Sequence, residues 1–269
     1  MLRRSLVPLL ALTGLVVPIQ AAAQDDAIAT QATQATQSTL DYGLALGALQ
    51  LRDDLLRPLR WMGGQGALVL GLEVDTGPLL HRAGIEVGAG LLRDPYGDGG
   101  MVVTQSAHYA CLARLRPGRR VQVLVGATYR YESIDAYYYD WDDSFLYWMT
   151  SHALAPTVAL ETHPWQGRTL RVSFELPVLG LLSRPDSERI YKVDPLPYVY
   201  RWPALTHKNL HWVGPTELFA PTLTATYDRQ IGRHFGMRVG LDLFFRRTSE
   251  PRPFYALGET VKLEFRHVF

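Results

Sequence analysis

The clearest signal in the chain is an alternation of apolar and polar positions, sharpest at the C terminus. From Val261 to Phe269 one parity reads Val261, Leu263, Phe265, His267, Phe269, and the other reads Lys262, Glu264, Arg266, Val268. A period of two, with charge on one face and large hydrophobes on the other, predicts a β-strand lying between two unlike environments. The pattern recurs upstream. Phe235–Arg247 sets Met237, Val239, Leu241, Leu243 and Phe245 against Arg238, Asp242 and Arg246. Val121–Glu132 sets Val121, Val123, Val125, Tyr129 and Tyr131 against Gln122, Arg130 and Glu132. Thr169–Pro177 sets Leu170, Val172, Phe174 and Leu176 against Arg171 and Glu175, and Ala67–Asp75 sets Leu68, Leu70, Leu72 and Val74 against Glu73 and Asp75. Weaker strands are expected over Leu40–Leu51, Leu79–Leu91, Val102–Leu115, Ala153–Thr162 and Glu217–Asp228.

These segments predict an all-β fold of about ten strands, with twelve as the alternative, closed as an antiparallel up-and-down transmembrane barrel that shows lipid its apolar parity. The connections alternate in length. Short ones are expected at Thr76–Pro78, Arg116–Arg120, His163–Arg168 and Arg229–His234. Long ones are expected at Arg52–Gly66, Arg93–Gly100, Ser133–His152, Ser183–Thr216 and Thr248–Phe254. Short turns on one rim and long loops on the other are what such barrels show.

Residues 1–23 read as a secretory signal: Arg3 and Arg4, an apolar core from Leu6 to Ile19, then Ala21-Ala22-Ala23 at the exit. Cleavage is expected to start the mature chain near Gln24. Residues 24–38 contain ATQATQATQST and read as a flexible periplasmic lead-in, leaving 39–269 for the barrel. Charge adds an exclusion. With 27 Lys+Arg against 26 Asp+Glu, the formal charge of +1 offers nothing to nucleic acid. The single cysteine, Cys111, excludes an intrachain disulfide.

The C-terminal residues also resemble the assembly signal of bacterial outer-membrane β-barrel proteins. There the last strand ends in an aromatic residue with hydrophobes in step before it, as Phe269, Phe265, Leu263 and Val261 do here, while His267 departs from the pattern. The resemblance implies the cell outer membrane as location and outer-membrane lipid as surroundings. It also implies the barrel-assembly machinery and periplasmic chaperones as partners during biogenesis. No local motif resembles the acidic pairs and Asp–His pair of the omptin surface proteases. Nor is there the His and Ser context of outer-membrane phospholipases or lipid A deacylases.

Two residue sets are candidates for function. The lumen parity holds Glu73, Glu86, Arg130, Glu132, Glu161, Arg171, Glu175, Arg238, Asp242, Arg246, Lys262, Glu264 and Arg266. Interspersed signs in a narrow bore predict a salt-bridged plug; rings of charge in a selective passage are the alternative. The long connections are aromatic, with Tyr138, Trp141, Tyr147 and Trp148 in one and Tyr198, Tyr200 and Trp202 in another. Asp135, Asp140, Asp142 and Asp143 in the first face Lys192, Arg201 and Lys208 in the second, which suggests that the two loops clasp. Such aromatics suit a surface for an extracellular or envelope partner, although those near strand ends would instead anchor in the headgroups. Ser106 and His108 share a lumen parity but lack a third orienting group, and His207 and His211 lack a nearby acidic ligand, so neither a catalytic nor a metal site is expected, and no cofactor. The preferred function is a barrel whose loops bind a partner or stabilise the envelope. A narrow passive pore and a hydrolase with a site at the outer rim are the alternatives.

Overall fold

The computed structural model describes residues 36–55, 57–115, 121–138, 145–165, 167–185 and 206–269, with the side chains of 57, 58, 145 and 146 excepted. The expected signal and most of the lead-in lie outside these residues. The strands are β1 (Gln37–Asp53), β2 (Arg57–Asp75), β3 (Leu79–Arg93), β4 (Gly99–Arg114), β5 (Val121–Tyr138), β6 (Phe145–Thr162), β7 (Arg168–Glu175), β8 (Leu179–Ser183), β9 (His211–Val213), β10 (Leu218–Phe219), β11 (Thr222–Gln230), β12 (Phe235–Thr248) and β13 (Phe254–Val268). Gln37 and Ser38, expected in the lead-in, already pair with Asp75 and Val74 in the first hairpin.

Ten of these strands close an antiparallel up-and-down barrel, and three short ones elaborate one rim. Closure comes from β1 meeting β13, with Thr39 opposite Val268 at one end and Asp53 opposite Phe254 at the other. The twelve-strand alternative is thereby excluded. β8 continues β7 along β6 after Leu176-Pro177-Val178, and β10 precedes β11 along β12 with Ala220-Pro221 between them. Proline has no N–H for the ladder, so each of these strands is interrupted where one stands.

Register follows the apolar parity. Leu44 lies opposite both Leu263 and Leu68, so the leucines of three strands point outward together. A slip of one residue would turn them all into the lumen. The outward Leu46 is 72% exposed and Leu68 67%, whereas the inward Arg238 is 3% exposed. That inversion of a soluble protein's burial is what a lipid solvent demands.

The connections expected to be long are shorter than the sequence suggests, because the strands are longer. β1 has 17 residues and β2 has 19, against about 9–11 needed to cross a bilayer. Most of Arg52–Gly66 is therefore strand, and β5 and β6 extend to Tyr138 and from Phe145, consuming most of the expected loop Ser133–His152. Glycine density misleads at Gly63-Gly64-Gln65-Gly66. A Cβ on Gly63 would sit 1.7 Å from the Leu91 carbonyl oxygen, so glycine serves close strand approach there, not a loop.

Candidate functional site

The lumen is where the chain concentrates its polar chemistry, and it is filled in layers. Nearest the short-turn rim lies a charge network. Arg238 Nη1 donates to Asp41 at 2.6 Å and its Nε to Asp228 at 2.6 Å, while Nη2 reaches Glu73 at 3.1 Å. Arg171 donates to Glu161 at 2.6 Å and to Glu73 at 2.9 Å. Arg266 bonds Asp41 at 2.9 Å and Glu73 at 3.1 Å, and also contacts Asp228. Arg82 lies 3.3 Å from Glu73, and Glu264 lies 3.9 Å from Arg238. Guanidinium forks suit this task because each offers donors in several directions to planar carboxylates.

A polar cavity of about 130 Å³ runs above the network, lined by Thr104, Ser106, His108, Thr224, Thr226 and Gly240 among others. Lys262 Nζ bridges Glu86 at 2.5 Å and Asp242 at 2.8 Å across it, and Arg130 Nη2 holds Glu175 at 2.7 Å. Asp242 Oδ1 and Thr226 Oγ1 are buried here without a hydrogen-bond partner in the protein. The ring of His108 lies against Gly84, where a Cβ would meet its Cε1 at 2.4 Å. Ser106 and His108 are not hydrogen-bonded to each other, and the residue paired with His108 on β5 is Arg130. A second space of about 470 Å³ opens at the short-turn mouth, and Glu73 lines both.

Above the cavity Arg246 pairs with Glu132, Nε to Oε2 at 2.5 Å and Nη2 to Oε1 at 3.1 Å. The next layer is apolar. Leu49, Leu51, Trp61, Leu92, Val102, Ile134, Met149 and Phe254 form one buried cluster, with Phe244 packed beneath it. Arg184 caps this layer. It is 2% exposed, donates to Asp53 at 3.2 Å, Thr248 at 2.6 Å and the carbonyls of Glu250 and Arg252, and also contacts the Tyr147 hydroxyl. The cap thus ties β8 to the ends of three other strands.

The structure therefore brings together Glu73, Arg171, Arg238, Glu264 and Arg266 in one network, Asp242 with Lys262, Arg130 with Glu175, and Arg246 with Glu132. The loop aromatics fare differently. Tyr138, Tyr147 and Trp148 are 2%, 2% and 0% exposed, so they belong to the packed interior and present no surface. Tyr138 packs against Trp61 with the rings tilted and their centroids 4.4 Å apart, and the Trp148 indole donates to Ser183 at 3.3 Å. Asp135, expected in the loop clasp, is buried on β5 beside Ser133. Trp141, Tyr198, Tyr200 and Trp202 lie outside the described residues. His207 stacks on Tyr131, with ring centroids 6.0 Å apart, next to His152 on the outer wall, while His211 bonds the Asn209 carbonyl. Of the terminal signal, Val261, Leu263 and Phe265 face outward, and the Phe269 N–H closes onto the Ser38 carbonyl at 2.9 Å.

Neither a protein-family model nor a curated protein matches the sequence. Solved structures do match. The outer-membrane protease OmpT of Escherichia coli aligns over 88% of this chain and 98% of its own, with a TM-score of 0.53 at 6% identity. The fold is that of a bacterial outer-membrane β-barrel. The autotransporter translocator domain of NalP from Neisseria meningitidis (TM-score 0.45, 6% identity, 86% of this chain and 88% of that one) is also similar. So is the β domain of the Bordetella autotransporter BrkA (TM-score 0.41, 12% identity, 87% of this chain and all of that one). In this outer-membrane-type barrel, sequence reasoning missed Asp41, Arg82, Asp228, Asp53 and Arg184. The first three lie on lumen parity close to strand ends, so a stricter count of alternation would have found them. No local signal marks Arg184, because its burial depends on four connections meeting.

Proposed function

We propose that this barrel resides in the cell outer membrane, is exported by a cleaved signal, and works from its outer rim, its lumen being closed to solutes. The observation that carries this reading is occlusion at two levels: the Arg238–Arg171–Arg266 network below the cavity and the apolar cluster above it. A guanidinium held by several carboxylates cannot swing aside without stranding them, and water is excluded from the apolar layer. The wall then serves as a rigid mount for the connections at its long-loop rim. Trp141 and the segment with Tyr198, Tyr200 and Trp202 supply aromatics there for an extracellular or envelope partner. Barrel-assembly machinery and periplasmic chaperones deliver the chain to the membrane.

The test is single-channel recording of the purified full-length barrel in a planar bilayer. No steady conductance is expected. Regular openings whose size scales with salt, and which change in Arg238→Ala, would overturn the reading in favour of the narrow pore.

A further inference from the structure

The outward face carries a second pattern at its long-loop end. The apolar band begins at an inner aromatic row, with Tyr42 on β1, Phe265 on β13 and Phe235 on β12, and the rings of Phe265 lie 6.0 Å from Tyr42 and 5.9 Å from Phe235. A hydrocarbon band roughly 25 Å tall crossed by tilted strands takes about ten residues. Ten residues along from that row come Arg52, Tyr255 and Phe245, with Arg247 one outward position further on β12. On β2 the last outward hydrophobe is Met62 and the next outward residue is Arg60; on β3 they are Leu91 and Arg93. Four arginines thus stand at the outer edge of the band.

Register makes them one surface. Arg60 is directly opposite Arg52, Arg52 is directly opposite Tyr255, Tyr255 is directly opposite Arg247, and Arg93 is opposite Met62, one outward position below Arg60. The order β3-β2-β1-β13-β12 is continuous in the wall, so the belt is roughly 19 Å wide at about 4.8 Å per strand. Its electrostatics differ from those of the lumen. Arg82, Arg114, Arg130, Arg171, Arg238, Arg246 and Arg266 all hold carboxylates. Arg52 pairs with Asp54 at 2.8 Å, but among the described residues Arg60, Arg93 and Arg247 have no acidic partner and are exposed. Like charges placed directly across a ladder repel, and a shared anion would remove that cost.

We propose that Arg52, Arg60, Arg93 and Arg247, with Tyr255, bind the phosphate groups of outer-leaflet glycolipid headgroups. The guanidinium fork takes phosphate oxygens two at a time, and the hydrophobes beneath leave the acyl chains where lipid already runs. The inference rests on the long-connection rim being the outer one. A peptide tag inserted in the 94–98 connection checks that separately, through antibody access on intact cells.

The experiment uses full-length barrel refolded in detergent and titrated with bisphosphorylated lipid A, its dephosphorylated form and inorganic phosphate. Native mass spectrometry reads bound lipid. Wild type should prefer the bisphosphorylated form, and replacing Arg60, Arg93 and Arg247 together with Ala should lower its affinity roughly 100-fold. Arg168→Ala with Arg229→Ala, at the opposite rim, should leave binding unchanged. The inference is overturned if the triple variant binds as wild type does, if dephosphorylated lipid binds equally well, or if the opposite-rim pair causes the same loss. Inorganic phosphate displacing the lipid at matched concentration would assign the belt to free anions and also overturn it. Heat-modifiable migration confirms that each variant is folded, and Arg93→Ala alone, expected to show a smaller loss, substitutes if the triple is not.

Discussion

Arg246→Ala would remove the most connected side chain between the polar cavity and the apolar layer. Its guanidinium is 2% exposed and is the ion-pair partner of Glu132, at 2.5 Å and 3.1 Å. It also donates to the Pro221 carbonyl at 2.9 Å and to Thr222 Oγ1 at 3.1 Å, and lies 5.0 Å over the Phe244 ring. Truncation strands a largely buried carboxylate, which costs about 3–5 kcal/mol. Glu132 lines the adjoining cavity and its side chain is 13% exposed, so the lower half of that range is expected. Glu132→Gln keeps the shape and a neutral acceptor, and should cost about 1–3 kcal/mol. Arg246→Met combined with Glu132→Leu removes both charges and should cost less than Arg246→Ala alone, since nothing is left unpaired. The assay is reversible urea unfolding in lipid vesicles followed by tryptophan fluorescence, with the slope checked for constancy across variants. The reasoning is refuted if Arg246→Ala unfolds within about 0.5 kcal/mol of wild type, or if the double variant costs as much as Arg246→Ala alone.

Leu241 is outward and 40% exposed while Asp242 turns in to Lys262, so Leu241→Arg should cost about 2–4 kcal/mol in the same assay. Asp242→Asn should cost less, because Glu86 still holds Lys262; the reverse order would show an inverted register. Deleting Phe269, whose N–H bonds Ser38 at the seam, should leave chain unassembled, read as loss of the compact heat-sensitive gel band. Gly258→Ala places a Cβ 2.2 Å from Phe244 Cζ and should cost about 1–3 kcal/mol. Adding Phe244→Ala should make that substitution nearly silent; an unchanged penalty would show that the glycine serves the backbone instead.

Parity carried most of the fold. Once Leu241 faces lipid, Arg238, Asp242 and Arg246 must face inward, and the lumen of β12 is known before any partner is. What parity cannot state is which carboxylate each arginine meets, because Arg238 and Asp41 lie on opposite ends of the chain. Aromatic density misled at Tyr138, Tyr147 and Trp148. A run of large rings suits a binding loop or a packed interior equally, and only the length of β5 and β6 decides between them. The belt of Arg52, Arg60, Arg93 and Arg247 was illegible for a related reason. These residues are scattered along the sequence, and strand register alone makes them neighbours.

The lumen ion pairs run from near to far in chain distance, and the two extremes bear on how the barrel is built. Arg171 with Glu161 and Arg238 with Asp228 are ten residues apart, and Arg82 with Glu73 is similarly close. These form within a single hairpin. Arg171 with Glu73, Lys262 with Glu86, Arg266 with Glu73 and Arg238 with Asp41 are separated by 98, 176, 193 and 197 residues. The last three of these span the β1–β13 seam, and the first crosses the lumen from β7 to β2. Hairpins can therefore travel toward the bilayer with much of their charge already neutralised at home, and the long-distance partners engage only when the ring shuts. Loop-closure entropy is spent before those contacts return anything, so closure is the late, concerted event. An open sheet lacks the pairs that span the β1–β13 seam, which makes the shut ring slow to reopen and partial barrels poor resting points.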